Sequence, residues 1–133
     1  MSEKDVQTSI LLALGRHPGV RLFRNNCGNA VTGARYVRID KPTTVTLQAG
    51  DWILKNGRRI QFGLQVGSGD LIGMRQLDGV AQFLSVEVKD TKGKLTAEQE
   101  NWLQFVRSFG GCGIVARSAE EAVSQIVTVG LAL

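Results

Sequence analysis

Cysteine and histidine are almost missing from this chain, and that removes whole classes of chemistry. Cys27 and Cys112 are its only thiols and His17 its only imidazole. This is too little for a disulfide framework or a zinc site. Cys112, set between glycines before Ile114-Val115-Ala116, reads as a buried small hydrophobe, and Cys27 as an incidental thiol in a polar loop. His17 precedes Pro18 in a turn, which suits a surface role better than general base catalysis. No apolar run approaches the roughly 20 residues that span a bilayer. The opening Met1-Ser2-Glu3-Lys4-Asp5 lacks the basic-then-apolar order of a secretory leader. The expectation is a soluble, cytoplasmic protein with no membrane partner.

What is present fits one α/β domain over residues 1–133. Apolar residues make up 43% and charged residues 21% of the chain, which argues against wholesale disorder. The net charge of +4 is unevenly spread. Residues 1–66 carry ten Lys/Arg against four acids, and the remainder carries six against eight. A basic half beside an acidic half suits an enzyme acting on a polyanion, since cations attract phosphates and carboxylates hold a metal. A merely solvated basic surface would have the same composition.

Ser2 and Asp5 form a capping-box pattern ahead of Val6, Ile10, Leu11 and Leu14, predicting a first amphipathic helix that stops at Gly15. Val20 to Arg24 alternates as a strand, and the Asn- and Gly-rich stretch from Asn25 to Gly33 reads as loop. Asn56-Gly57 between Trp52-Ile53-Leu54-Lys55 and Arg58-Arg59-Ile60-Gln61-Phe62 predicts a basic β-hairpin, inserted within residues 25–66. After Gly67-Ser68-Gly69, a strand begins near Asp70, and Ala81 to Lys89 forms a central strand. Thr96 with Gln99 caps a helix through Trp102, Leu103 and Val106 to Phe109, which Gly110-Gly111 ends. Gly113 to Ala116 reads as a buried strand, and Ser118 with Glu121 caps a last helix. The sum is a mixed sheet flanked by helices.

Chemistry concentrates at Asp70 and Glu87-Val88-Lys89. On a strand Glu87 and Lys89 project from one face and Val88 from the other. If Asp70 ends the neighbouring strand, two carboxylates can hold a hard divalent cation while the lysine acts on a water or a phosphate oxygen. An isolated Glu-x-Lys is usually a solvent-facing pair, but on a central strand unpaired charge is costly unless it serves a site. Asp70 could instead simply open a strand or an Asx-turn. Gln99 has an ordinary role inside the capping box, yet it shares a helical face with Trp102, Leu103 and Val106 and can reach the sheet. Glu3 is favoured in a first helical turn by the macrodipole alone, yet it lies on one stripe with Gln7, Ile10 and Leu14.

Asp70, Glu87-Val88-Lys89, the run Leu95-Thr96-Ala97-Glu98-Gln99-Glu100-Asn101-Trp102-Leu103, and Gly110 to Ser118 closely resemble the virus-type replication-repair nuclease (VRR-NUC) family of the PD-(D/E)XK nuclease superfamily. The first helix with Glu3 and Gln7 fits as well. Gly69 stands where the family usually has proline, and residues of about 25–66 do not match its compact core. The resemblance implies a restriction-endonuclease-like core, with a central mixed four-stranded sheet flanked by helices, and a Mg²⁺- or Mn²⁺-dependent nuclease. It makes Asp70, Glu87 and the backbone carbonyl of Val88 metal ligands, with Glu3 in an outer shell. Lys89 would orient or deprotonate the attacking water, and Gln99 would position that water or the lysine.

Small members of the family look like structure-specific endonucleases working as homodimers on branched DNA such as Holliday junctions. Two sites on a two-fold substrate make a dimer economical. The apolar segment Ile126 to Leu133 and the inserted hairpin are candidate interfaces. Lys55, Arg58, Arg59, Lys92 and Lys94 are candidates for phosphate contacts. Two rival readings remain: a non-catalytic DNA-binding module of this fold, and a nuclease cutting linear duplex in restriction or genome processing.

Overall fold

The computed structural model describes residues 1–29 and 37–127. Their elements run α1 (Glu3–Gly15), β1 (Val20–Arg24), β2 (Gly28–Asn29), β3 (Gln61–Phe62), β4 (Leu71–Leu77), β5 (Val80–Val88), α2 (Ala97–Ser108), β6 (Cys112–Ala116) and α3 (Ala119–Val127). The main sheet has the order β1-β4-β5-β6, and β2 and β3 form a separate two-stranded ribbon. β1, β4 and β5 are antiparallel neighbours, whereas β5 and β6 run parallel. A parallel neighbour needs a crossover, and α2 supplies it.

Strand alternation divides the side chains between two layers. Leu71, Leu84, Val86, Val88, Ile114 and Ala116 face Val6, Ile10 and Leu14 of α1 and Ala122 and Ile126 of α3. Ser85 and Glu87 face the other way, toward α2. α2 comes close there because β6 and the residue before it are small on that side: a Cβ on Gly111 would stand 2.7 Å from Val106 Cγ1, and one on Gly113 would stand 3.2 Å from Leu103 Cδ2. Arg75, buried on the α3 side, donates to Gln82 Oε1 and to the Ile126 carbonyl, both at 2.7 Å, so its charge is enclosed but not orphaned.

Both predicted capping boxes are present, Ser2 with Asp5 and Thr96 with Gln99. At α3 the Ser118 hydroxyl accepts from Glu121 N, while the Glu121 carboxylate accepts from Arg117 N instead of closing back on Ser118. Cys112 packs against the core but is half-buried rather than fully buried, and Cys27 is exposed.

The predicted basic hairpin is a correction. No ladder joins 52–55 to 58–62 among the described residues, and Gln61–Phe62 pairs with Gly28–Asn29 instead. Asn56 has a φ of 53°, but Gly57 is not in the left-handed region, so the turn lacks the second positive φ of a primed hairpin. Trp52 and Leu54 are 97% and 82% exposed, so these flanks have no apolar layer to pack against, and an isolated ribbon is marginal in water. The tight hairpin lies elsewhere, at Asp78-Gly79 between β4 and β5, with φ values of 50° and 78°.

Of the apolar segment expected as a candidate interface, Ile126 is fully buried in the core and Val127, partly buried, packs against it. Residues 128–133 lie outside the described residues, as do 30–33 of the predicted loop.

Candidate active site

Asp70 immediately precedes β4, and the β4–β5 register runs from Leu77↔Val80 to Leu71↔Val86. One step further sets Asp70 opposite Glu87. Like charges directly across a ladder repel. The chain eases this partly by turning Asp70 Oδ2 onto the backbone N–H of Val88, at 2.8 Å. The Asp70 carbonyl accepts from Asn25 N at 2.9 Å and from Gln7 Nε2 at 3.5 Å. Gln7 Oε1 in turn accepts from Arg24 at 2.8 Å.

Glu87 is only 2% exposed, yet it points into the layer under α2 rather than into the apolar core. Its Oε1 accepts from Gln99 Nε2 at 2.5 Å and lies 3.1 Å from Lys89 Nζ. Lys89, 7% exposed, also reaches Glu3 Oε1 at 3.9 Å. Both sequence readings of Gln99 hold together. Its Oε1 accepts from Thr96 N at 2.9 Å inside the capping box, while its amide nitrogen serves Glu87. The Thr96 N–H donor on one side and the Glu87 acceptor on the other dictate the amide's orientation. Thr96→Ala removes the cap of this helix and should lower stability by about 1 kcal/mol, measured by urea unfolding.

Burial pushes the Glu87 carboxyl up to about 7, with the Asp70 charge adding to the rise and Lys89 opposing it. Asp70 is raised for the same first reason, with the Val88 N–H and Lys89 opposing. Two carboxylates that both resist ionisation beside one another form a pair that a cation would relieve.

The donor set fits a hard cation. Asp70 Oδ1, Glu87 Oε2 and the Val88 carbonyl accept no hydrogen bond among the described residues. The N–H and C=O of one strand residue face the same neighbour, so the Val88 carbonyl turns to the side where Asp70 sits and β4 has run out. All three are oxygens, the ligand type that Mg²⁺ and Mn²⁺ take. No group of three or more His, Cys, Asp or Glu side chains converges among the described residues, so such a site would draw on the backbone as well.

Asp70, Glu87, Val88, Lys89, Gln99 and Glu3 therefore meet in one place. Lys92 and Lys94 are exposed on the loop that follows, flanking Gly93, where a Cβ would stand 3.1 Å from Lys89 Cδ and 3.2 Å from Glu3 Oε1. That loop is tied down by Asp90 Oδ1, which accepts from Lys92 N and Gly93 N, and by Arg117, which donates to the Asp90 carbonyl. Lys55, Arg58 and Arg59 are exposed on the irregular stretch before β3, and among the described residues no hydrogen bond or ion pair ties Lys55 or Arg58 to the site. Arg24, Asn25 and the Trp102–Ser85 bond of 2.8 Å under α2 escaped the sequence reading, because none of them belongs to a recognisable spacing.

The family model of the VRR-NUC domain matches residues 50–120, more than half the chain. The chain belongs to the VRR-NUC domain family. The match takes in β3 to β6 with Asp70, Glu87, Lys89 and Gln99, and it starts inside the stretch read as an insertion. VRR-NUC is a nuclease family with DNA as substrate, and the mixed four-stranded sheet between helices accords with its PD-(D/E)XK-like fold. No curated protein and no solved structure matches the chain. No helix among the described residues is long and apolar enough to cross a membrane.

Proposed function

We propose that this VRR-NUC chain is a Mg²⁺- or Mn²⁺-dependent endonuclease that hydrolyses phosphodiester bonds in branched DNA, working as a homodimer in the manner of a Holliday-junction resolvase. The observation that carries the reading is the enclosed group of Asp70 across from Glu87, with Lys89 Nζ 3.1 Å from Glu87 and Gln99 fixing that carboxylate. In an ordinary strand such a cluster would be a destabilising defect. Asp70, Glu87 and the Val88 carbonyl would hold the cation, with Glu3 in its outer shell. The cation supplies a Lewis acid and makes a water nucleophilic at neutral pH.

The chain's own residues do the rest. Lys89 Nζ orients the attacking water, assists removal of its proton and offsets charge gathering on the pentacovalent phosphate. Gln99 holds Glu87 in one rotamer and limits where the lysine can stand. Lys92 and Lys94 beside the site, with Lys55, Arg58 and Arg59 on the exposed stretch, bind flanking phosphates without reading sequence. Residues 1–133 act as one nuclease domain carrying an insertion at about 25–66, in the cytoplasm of a bacterial or phage-infected cell. Each copy contributes one site, and a two-fold junction takes two.

A panel of labelled four-way junction, flap, splayed arm and linear duplex, each with Mg²⁺, Mn²⁺ or EDTA, tests this reading. The junction should be cut with either metal and not with EDTA. Equal cutting of linear duplex would move the assignment to restriction or genome processing. Salt-sensitive binding with no cleavage of any substrate would make the chain a binding module.

A further inference from the structure

The segment 67–70 that delivers Asp70 has no regular structure before β4, so something other than a ladder must fix it. Two of its walls are glycine contacts. Gly67, at a φ of +88°, passes so near the first turn of α2 that a Cβ would lie 2.5 Å from the Glu98 carbonyl carbon. A Cβ on Gly69 would lie 2.3 Å from Ser85 Oγ and 3.0 Å from the Val86 carbonyl oxygen. These contacts stop the segment from moving toward α2 and β5, but they do not hold it there.

The remaining side is closed chiefly by one residue, with Cys27 Sγ 3.2 Å from Ser68 Oγ and Gln7 Nε2 3.5 Å from the Asp70 carbonyl oxygen beside it. Asn25, the first residue past β1, donates through Nδ2 to Ser68 Oγ at 2.8 Å and to the Gly69 carbonyl at 2.9 Å, and through its backbone N–H to the Asp70 carbonyl at 2.9 Å. Three consecutive residues are thus bonded to one asparagine. Its Oδ1 accepts from the Cys27 thiol at 3.3 Å, which leaves the amide nitrogen facing the segment.

We infer that Asn25 is a positioning residue for Asp70. It touches neither substrate nor the proposed cation, and sets the angle at which the Asp70 carboxylate meets Glu87 and the Val88 carbonyl. The inference rests on the reading of Asp70 as a metal ligand. Partners that orient a ligand typically change metal affinity by roughly 10–100-fold when lost. Asn25→Asp is the sharpest probe, because it keeps the shape and the backbone N–H but turns an acceptor toward the Gly69 carbonyl. Ser68→Ala removes one of the asparagine's bonds from the opposite end, together with the contact of Ser68 Oγ with Cys27 Sγ at 3.2 Å, and guards against a variant that fails to fold.

Mn²⁺ affinity of the full chain, measured by electron paramagnetic resonance on protein shown to be folded by circular dichroism, should fall roughly 10–100-fold in Asn25→Asp, with a smaller fall in Ser68→Ala. The Mn²⁺ concentration for half-maximal junction cleavage should rise in parallel, while the rate at saturating Mn²⁺ stays near that of the native chain. A purely structural role would lower the melting temperature and leave Mn²⁺ affinity unchanged. If both folded variants bind Mn²⁺ like the native chain, and Asp70→Ala abolishes that binding, the inference is overturned and the metal site stands. Mn²⁺ binding insensitive to Asp70→Ala would overturn both.

Discussion

Glu87→Ala and Lys89→Ala should each slow junction cleavage by roughly 10²- to 10⁴-fold while leaving DNA affinity close to that of the native chain. The two losses have different origins. Removing Glu87 takes away one of two carboxylates facing a common space, whereas removing Lys89 takes away the one cation 3.1 Å from that carboxylate and raises the Glu87 carboxyl further. Because both act on one group of atoms, the double variant should be little worse than either single one. Single-turnover cleavage of a labelled four-way junction gives the rates, and filter binding in Ca²⁺ gives the affinity. Undiminished cutting by both variants would sink the assignment.

Stability should depend on pH in a direction unusual for a carboxylate. Glu87 has its folded value at about 7, above the ordinary 4.5, so the folded chain holds its proton more tightly than the unfolded chain. That contribution is full below pH 4.5 and is lost as the pH rises through 7. Unfolding by urea without divalent cation should show stability dropping by on the order of 1–3 kcal/mol between pH 5 and pH 8. Glu87→Gln should remove most of this slope and leave the chain more stable than the native one at pH 8. Mg²⁺ or Mn²⁺ prefers the ionised pair, so the rise in melting temperature on adding either should be larger at pH 8 than at pH 5.5. A native chain with flat stability over this range, or one stabilised by metal equally at both pH values, would contradict the electrostatics of the site.

The parts of the fold legible in the sequence were those fixed by local chemistry. The two reciprocal caps need residues three apart, and β5 announces its core face through Leu84, Val86 and Val88. Turns were less legible, because an Asn-Gly or Asp-Gly pair acts only where its flanks have something to bury. Asn56-Gly57 and Asp78-Gly79 carry the same signal, yet only the second joins strands whose alternate residues enter a core. The site divided along the same line. Glu87 and Lys89 share a face by period alone, whereas the partnership of Asp70 with Glu87 depends on a register between strands. Asn25 lies beyond both kinds of signal, since it meets Ser68 and Gly69 through tertiary contact between distant stretches.

Gln99 joins two jobs in one side chain, sealing the start of α2 and gripping Glu87. Fraying of that first helical turn would therefore strip the carboxylate of its amide partner at the same moment, so the local opening of α2 and the loosening of Glu87 are one event. The lifetime of the assembled site is then bounded by how often a single helical turn comes undone, and not by the much rarer unfolding of the sheet beneath it.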